Sequence, residues 1–296
     1  MDIFVQQVLN GLVLGSVYAI IALGYTMGYG TLGIINFAHG DVLMIGAMVA
    51  LSAITVLQNH FPGLGNVATL TIAAVVCAVV GFTIECVAYR PLRRAPRLAP
   101  LITAIGVSML LQTAAMIIWS RNPLPFPQLL STNPLNVIQA TDTTPGAVIS
   151  PTGIIIAVAF IVMAGLLLVH KTKLGRAMRG ISETPNNASL MGVNPNFVIS
   201  ATFIIGSALA GVMITFEYGN VHFYIGFIPG MKAFTAAVLG GIGNLGGVLL
   251  GAGYIRNLTG GVFGSNYQDV FAFVVLIIVL VFRPSGLLGE RVANRA

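Results

Sequence analysis

The chain has 296 residues, 56% of them hydrophobic and only 7% charged, against about 25% charged residues in soluble domains. That balance excludes an ordinary soluble domain and predicts an all-α polytopic membrane protein, with room for about eight to ten spans of roughly 20 residues. The formal net charge is +6, but a nucleic-acid partner is excluded, because the basic residues form no continuous face interleaved with aromatics.

In chain order, MDIFVQQVLNGLVLG has no basic n-region and no small-residue cleavage site, so it reads as the start of the first span. Apolar segments follow at about 5–28, 37–57, 67–89, 98–119, 151–169, 197–216, 232–255 and 268–282. They predict about eight transmembrane or re-entrant helical segments, some of them broken. The stretch GYGTLGIINFAHGD (28–41) is ambiguous, and the side on which the N-terminus lies stays open.

Of the 14 Lys and Arg, 11 fall in three clusters, each directly after an apolar segment. These are Arg90/Arg93/Arg94/Arg97, Lys171/Lys173/Arg176/Arg179 and Arg283/Arg291/Arg295, and the positive-inside pattern assigns all three to the cytoplasm. Cys77 and Cys86 fall in one predicted helix on opposite faces, too far apart for an intrahelical disulfide, and read as packing residues. Residues 120–150 have no net charge, and six prolines between 123 and 151 argue against a helix. This stretch is expected on the outer face, and Trp119 before it suits a membrane interface.

Residues 170–195, HKTKLGRAMRGISETPNNASLMGVNP, are the main polar interruption. Leu174, Ala177, Met178 and Ile181 share one helical face and the basic residues take the others. Thr184 is a fitting N-cap for a second short helix with Pro185 at its first position, running to about Met191. Gly192 can then take the left-handed conformation that closes it. These features fit either a topology-fixing loop or a docking element for a cytoplasmic partner.

Beyond this point simple alternation of spans would put the Arg-rich tail outside, so one segment must be broken or re-entrant. The segment 232–255 is interrupted by GGIGNLGG, and such backbone is tolerated at membrane depth only where protein or a water-filled cavity covers it. Broken helices of this kind mark substrate pathways.

Gly241, Gly243 and Gly246 spell GxGxxG, but without the strand–turn–helix context of a dinucleotide fold. Gly243/Gly247/Gly251, Gly11/Gly15 and Gly24/Gly28 read as close-packing ridges. No GxxxxGK[ST], HExxH or GxSxG occurs, and the four His at 39, 60, 170 and 222 are scattered. No catalytic residue, metal or cofactor is therefore expected in this chain. Among ionisable residues near apolar stretches, Glu85 has Arg90 as a ready partner. Asp41, beside His39, and Lys232 fit pathway or helix-positioning roles as well as interfacial snorkelling.

Three motifs carry a resemblance: INFAHGDVLMIGA (35–47), GRAMRGISETPNNASLMGVN (175–194) and GMKAFTAAVLGGIG (230–243). Together with NGLVLGSVYAIIALGYTMGYG (10–30) and ECVAYRPLR (85–93), they resemble the branched-chain amino acid ABC transporter permease family, in its high-affinity hydrophobic-amino-acid-uptake branch. The likeness runs over nearly the whole chain. It implies a single permease domain over 1–296, multi-pass in a bacterial inner membrane, with a cytoplasmic C-terminus and coupling segment at 171–195. It further implies a second homologous permease subunit, two ATP-binding subunits that hold the ATP and Mg, and an extracytoplasmic substrate-binding protein. The only other partner expected is membrane lipid.

By the same resemblance, Gly175, Arg176, Arg179, Glu183, Ala188 and Gly192 are expected to couple to the ATPase. Asn36, Phe37, His39, Asp41, Lys232, Gly240, Gly241 and Gly243 are family signature positions expected along the translocation path. Gly180 departs from the family, which usually has alanine there. The implied function is ATP-driven import of leucine, isoleucine or valine by alternating access, with urea or short amides as alternative substrates. The rival class is a self-sufficient channel or secondary transporter. It would need a membrane-embedded acidic cluster, and Asp41, Glu85, Glu217 and Asp269 are dispersed.

Overall fold

The computed structural model describes residues 2–33, 36–60, 65–93, 95–96, 98–127, 135–136, 148–149, 154–183, 185–213, 219–241 and 268–282. Thr184, Glu217, Gly243, the GGIGNLGG interruption beyond Gly241 and the C-terminal basic cluster lie outside them.

Each predicted apolar segment contains a helix. The order is α1 (Asp2–Leu32), α2 (His39–His60), α3 (Gly65–Ile84) running into a π-helical turn (Glu85–Tyr89), and α4 (Leu98–Ile118). Then come α5 (Ile154–Lys171), α6 (Lys173–Glu183), α7 (Pro185–Leu190), α8 (Pro195–Met213), α9 (Phe227–Gly240) and α10 (Gln268–Phe282). Helices are the natural outcome for such segments, because they satisfy every backbone N–H and C=O internally where no water can. Among the described residues, three stretches, His39–Leu57, Ala68–Tyr89 and Leu98–Ile118, are long and apolar enough to cross a bilayer.

The outward surface is apolar. On α4, Ile102, Met109, Leu110 and Ile117 stand exposed, the arrangement expected of a helix bathed in lipid. The interior is built on small residues. A Cβ on Gly211 of α8 would lie 2.6 Å from Cys77 Sγ of α3, and one on Gly46 of α2 would lie 2.6 Å from Gly211 Cα. Three helices therefore meet at backbone distance, and α8 packs more extensively against α3 than against any other element, as small-residue seams allow.

Two ends of the bundle are chemically distinct. Met27 and Leu32, at the end of α1, join one apolar cluster with Met178 and Ile181 of α6. That basic end also holds Arg90 and Arg93. At the other end, β1 (Leu124–Pro125) pairs antiparallel with a strand at Asn220–Val221, Leu124 opposite Val221. This pairing brings the loop after α4 to the loop after α8. A second two-stranded pair joins β2 (Leu135–Asn136) to β3 (Val148–Ile149), so that Asn220–Val221 is β4. Trp119 is at that end too, its indole N–H donating to Ser52 Oγ at 2.6 Å. Since α1 finishes at the basic end, its N-terminus lies at the opposite one, the orientation left open by the sequence.

One boundary needs correction. The seventh segment starts at Phe227 rather than at Lys232, so Lys232 sits inside α9. Proline at 229 does not prevent this, because N–H groups in the first turn of a helix have no intrahelical partner to lose.

Candidate functional site

α1 ends at Leu32 and Gly33 turns the chain with φ +65. Asn36 then starts the next helix: its Oδ1 accepts the Ala38 N–H at 3.1 Å and the Tyr89 hydroxyl at 2.9 Å. His39 follows, buried, with its ring edge-on to Tyr25 at 4.8 Å between centroids. Its Nε2 has no hydrogen-bond partner among the described residues. That nitrogen faces Gly24, where an added Cβ would meet it at 2.4 Å. A small cavity opens here, lined by Asn36 and His39, by Tyr25 and Gly28 of α1, and by Thr202 and Ser207 of α8.

The start of α2 lies inside the bundle. The Cys77 thiol, midway along the Ala68–Tyr89 span, donates to the Val42 carbonyl at 3.4 Å. There α2 meets the start of α9. A Cβ on Gly226 would lie 2.0 Å from the Gly40 carbonyl oxygen, and one on Gly40 2.6 Å from that of Gly226. Only glycine at both positions lets two helix beginnings touch. Phe37 packs on Phe234 of α9 with ring centroids 5.6 Å apart.

Asp41, fully buried in the first turn of α2, accepts from Gln112 Nε2 of α4 at 2.9 Å. A carboxylate in a first turn is stabilised by the amides around it. Lys232 extends over Tyr18, its Nζ 6.0 Å from the ring centroid, at the outer limit of a cation–π contact. Gly240 ends α9, and Gly241 follows at φ +98.

At the basic end, α6 buries Gly175, Met178 and Ile181, half-buries Leu174 and Ala177, and exposes Lys173, Arg176 and Arg179. The predicted amphipathic face is the observed one. The corner from α5 into α6 is tight, since a Cβ on Gly175 would lie 2.2 Å from the His170 carbonyl oxygen. Arg179 Nη1 donates to that same carbonyl at 2.9 Å, a cation closing a helix C-terminus. Glu183 is the exposed last residue of α6. α7 opens on Pro185, buries Ala188, and is closed by Gly192 at φ +82, with the Val193 N–H donating to the Ala188 carbonyl at 3.1 Å. Leu190 and Met191, at its tip, are 86% and 85% exposed.

Beside α6 lies a polar cluster. The buried Glu85 carboxylate accepts from Arg90 Nη2 at 3.0 Å, from Ser200 Oγ at 2.6 Å and from Arg93 Nη2. Arg93 Nη1 also donates to Asn196 Oδ1 at 2.5 Å. The hydrogen bond to Glu85 and its negative charge hold the Arg90 guanidinium above its ordinary pKa. The turn that carries Glu85 is π-helical, with the Arg90 N–H donating to the Glu85 carbonyl at 2.8 Å.

These positions can be set beside known proteins. The family described as branched-chain amino acid transport system, permease component, matches residues 7–280. The chain belongs to that family. The permease is 46% identical to the high-affinity branched-chain amino acid transport system permease protein BraD of Pseudomonas aeruginosa, over 97% of this chain and 96% of that protein. It is 41% identical to the permease protein LivH of Escherichia coli K12, over the same shares of the two chains. A probable branched-chain amino acid transport permease of Methanocaldococcus jannaschii is 27% identical, over 97% and 94%.

In this permease the fold sets Phe37 against α9, places Asn36 and His39 at a cavity between α1 and α8, and sends Asp41 to α4 instead. Of the six positions from Gly175 to Gly192, Gly175 and Ala188 are buried, Arg176, Arg179 and Glu183 are exposed, and Gly192 closes α7. The sequence reading saw Glu85 with Arg90 but missed Arg93, Asn196, Ser200 and Tyr89. Asn196 and Ser200 are separated from their partners by 103 and 115 residues, and no local pattern announces such a pairing.

Proposed function

We propose that this permease is one membrane subunit of an ATP-driven importer for leucine, isoleucine and valine. It works with a second homologous permease, two ATP-binding subunits that hold the ATP and Mg, and an extracytoplasmic substrate-binding protein. The reading is supported by the names of the relatives and, above all, by the tip of α6–α7. Leu190 and Met191 stand almost fully exposed at the basic end, where positive-inside logic puts cytoplasm rather than lipid. Exposed large apolar side chains that follow a helix exposing Lys173 and Arg176 fit a docking contact with a cytoplasmic subunit. The segment 171–195 is then the coupling segment of a single permease domain in a bacterial inner membrane, its C-terminus cytoplasmic.

The path runs past the break between α1 and α2 and along α9. Phe37 and Phe234 offer apolar surface to a branched side chain. Movement of α6 and α7 by the ATPase switches the bundle between outward-facing and inward-facing states.

The test is capture of tagged wild type and Glu183→Arg from gently solubilised membranes, with uptake measured after reconstitution. An ATP-binding subunit should accompany wild type and be lost from the variant. Leucine uptake should be competed by isoleucine and valine and not by urea. Wild type that purifies alone and still supports uptake without ATP would replace the importer with a self-sufficient transporter.

A further inference from the structure

Resting on that importer reading, we infer that the π-helical turn Glu85–Tyr89 is the joint that carries movement of α6 and α7 to the break between α1 and α2. Its two ends grip different things. At one end, Glu85, with Arg93 folded back onto its carboxylate from beyond Tyr89, holds Ser200 and Asn196 in the first turns of α8, the helix that follows α7 after Met191–Asn194. At the other end, the Tyr89 hydroxyl donates to Asn36 Oδ1 at 2.9 Å. That same oxygen accepts the Ala38 N–H which begins α2. The Tyr89 ring also packs against Phe203 of α8 at 5.4 Å.

The materials of the joint suit this role. A carboxylate that is 0% exposed and bound by two guanidiniums and a hydroxyl loses a charge-assisted hydrogen bond if Ser200 moves away from it, which favours movement of the turn together with α8. A π turn differs from an α turn by one residue of register, about 100° of rotation, and such turns concentrate at functional sites. A return to α-helical pairing would swing Arg90 and all that follows it around the helix axis. In this scheme the α-helical pairing is the turn's second arrangement, and a two-state element of that kind is what transmission between sites requires. Glu85 and Tyr89 are positioning residues and touch no substrate in this scheme.

The experiment uses the complete complex, both permeases and the ATP-binding subunits with the binding protein, in proteoliposomes. Leucine uptake and ATP hydrolysis are measured on the same vesicles and expressed as ATP spent per leucine. Tyr89→Phe keeps the ring and loses only the bond to Asn36, and Ser200→Ala removes one of the two bonds that hold the other end to α8. Each should raise the ratio at least threefold with unchanged yield of assembled complex. Thr83→Val, an exposed hydroxyl bonded only to its own helix at Val79, should leave the ratio as in wild type. Variants that keep the wild-type ratio overturn the inference even if both rates fall, because a merely weakened structure lowers them in proportion. Wild-type vesicles that import leucine without ATP remove the importer reading and the joint with it.

Discussion

Two basic clusters sit at the same end of this permease and are built in opposite ways. Arg90 and Arg93 turn inward onto one buried carboxylate, with Arg93 only 19% exposed at its side chain. Lys173, Arg176 and Arg179 lie on the outer faces of α6, above an apolar underside of Met178 and Ile181. In the sequence both are the same thing, basic residues after an apolar segment. The first uses its charge to hold the bundle together and the second to present a surface, so positive-inside charge need not mean a solvated loop.

The sharpest way to test that contrast is Glu85→Ala. It leaves Arg93 without its counter-charge among buried neighbours, which costs about 3–5 kcal/mol for a truncated buried pair. Heat unfolding in detergent should show the loss as a clearly lower midpoint. A midpoint equal to wild type would mean that the inward cluster is as solvated as the outward one. Ser200→Ala probes the same lock more gently. It removes one hydroxyl donor to a charged acceptor at 2.6 Å and should cost about 1.5–3 kcal/mol, measured the same way.

How much of this was legible follows from the physics of each region. α6 and α7 were readable almost residue by residue, because an amphipathic helix in water shows its period. Pro185 and Gly192 also punctuate it with conformations that few other residues adopt. The membrane helices were readable as segments but not as packing partners. A helix apolar on every side has no face to betray its neighbour, so the seam of Gly46, Cys77 and Gly211 left no trace in the pattern. The start of α9 was misplaced because a charged residue was taken as a boundary. Lys232 lies within the helix, half-buried, with its amine over the ring of the buried Tyr18. The π turn at Glu85–Tyr89 has no sequence signature, and its distant partners appear only when α8 is laid against α3.

On the outward cluster the expected changes are smaller and of the other sign. Gly180 lies within α6, where an added Cβ would meet only Ala188 Cβ at 3.9 Å, an ordinary contact. Gly180→Ala should therefore stabilise the segment by about 0.4–1 kcal/mol, through a less flexible unfolded chain and better helix propensity. Hydrogen exchange at the α6 amides should slow. Faster exchange would show that the flexibility is matched to a strained backbone that a side chain disturbs.

The smallest effect on stability should come from Arg176→Gln, and it separates the two designs most cleanly. Arg176 is exposed on α6, and exposed substitutions away from special features usually stay within about 0.5 kcal/mol. The unfolding midpoint should not move, in contrast to Glu85→Ala. Yet if the outer face of α6 is a docking surface, losing one positive charge from it slows encounter with an acidic partner surface, and does so most at low salt. Capture of the ATP-binding subunit should fall while the midpoint holds. A variant that captures the subunit as wild type does at every salt concentration would assign docking to the apolar tip at Leu190 and Met191 alone, leaving the basic face to fix topology.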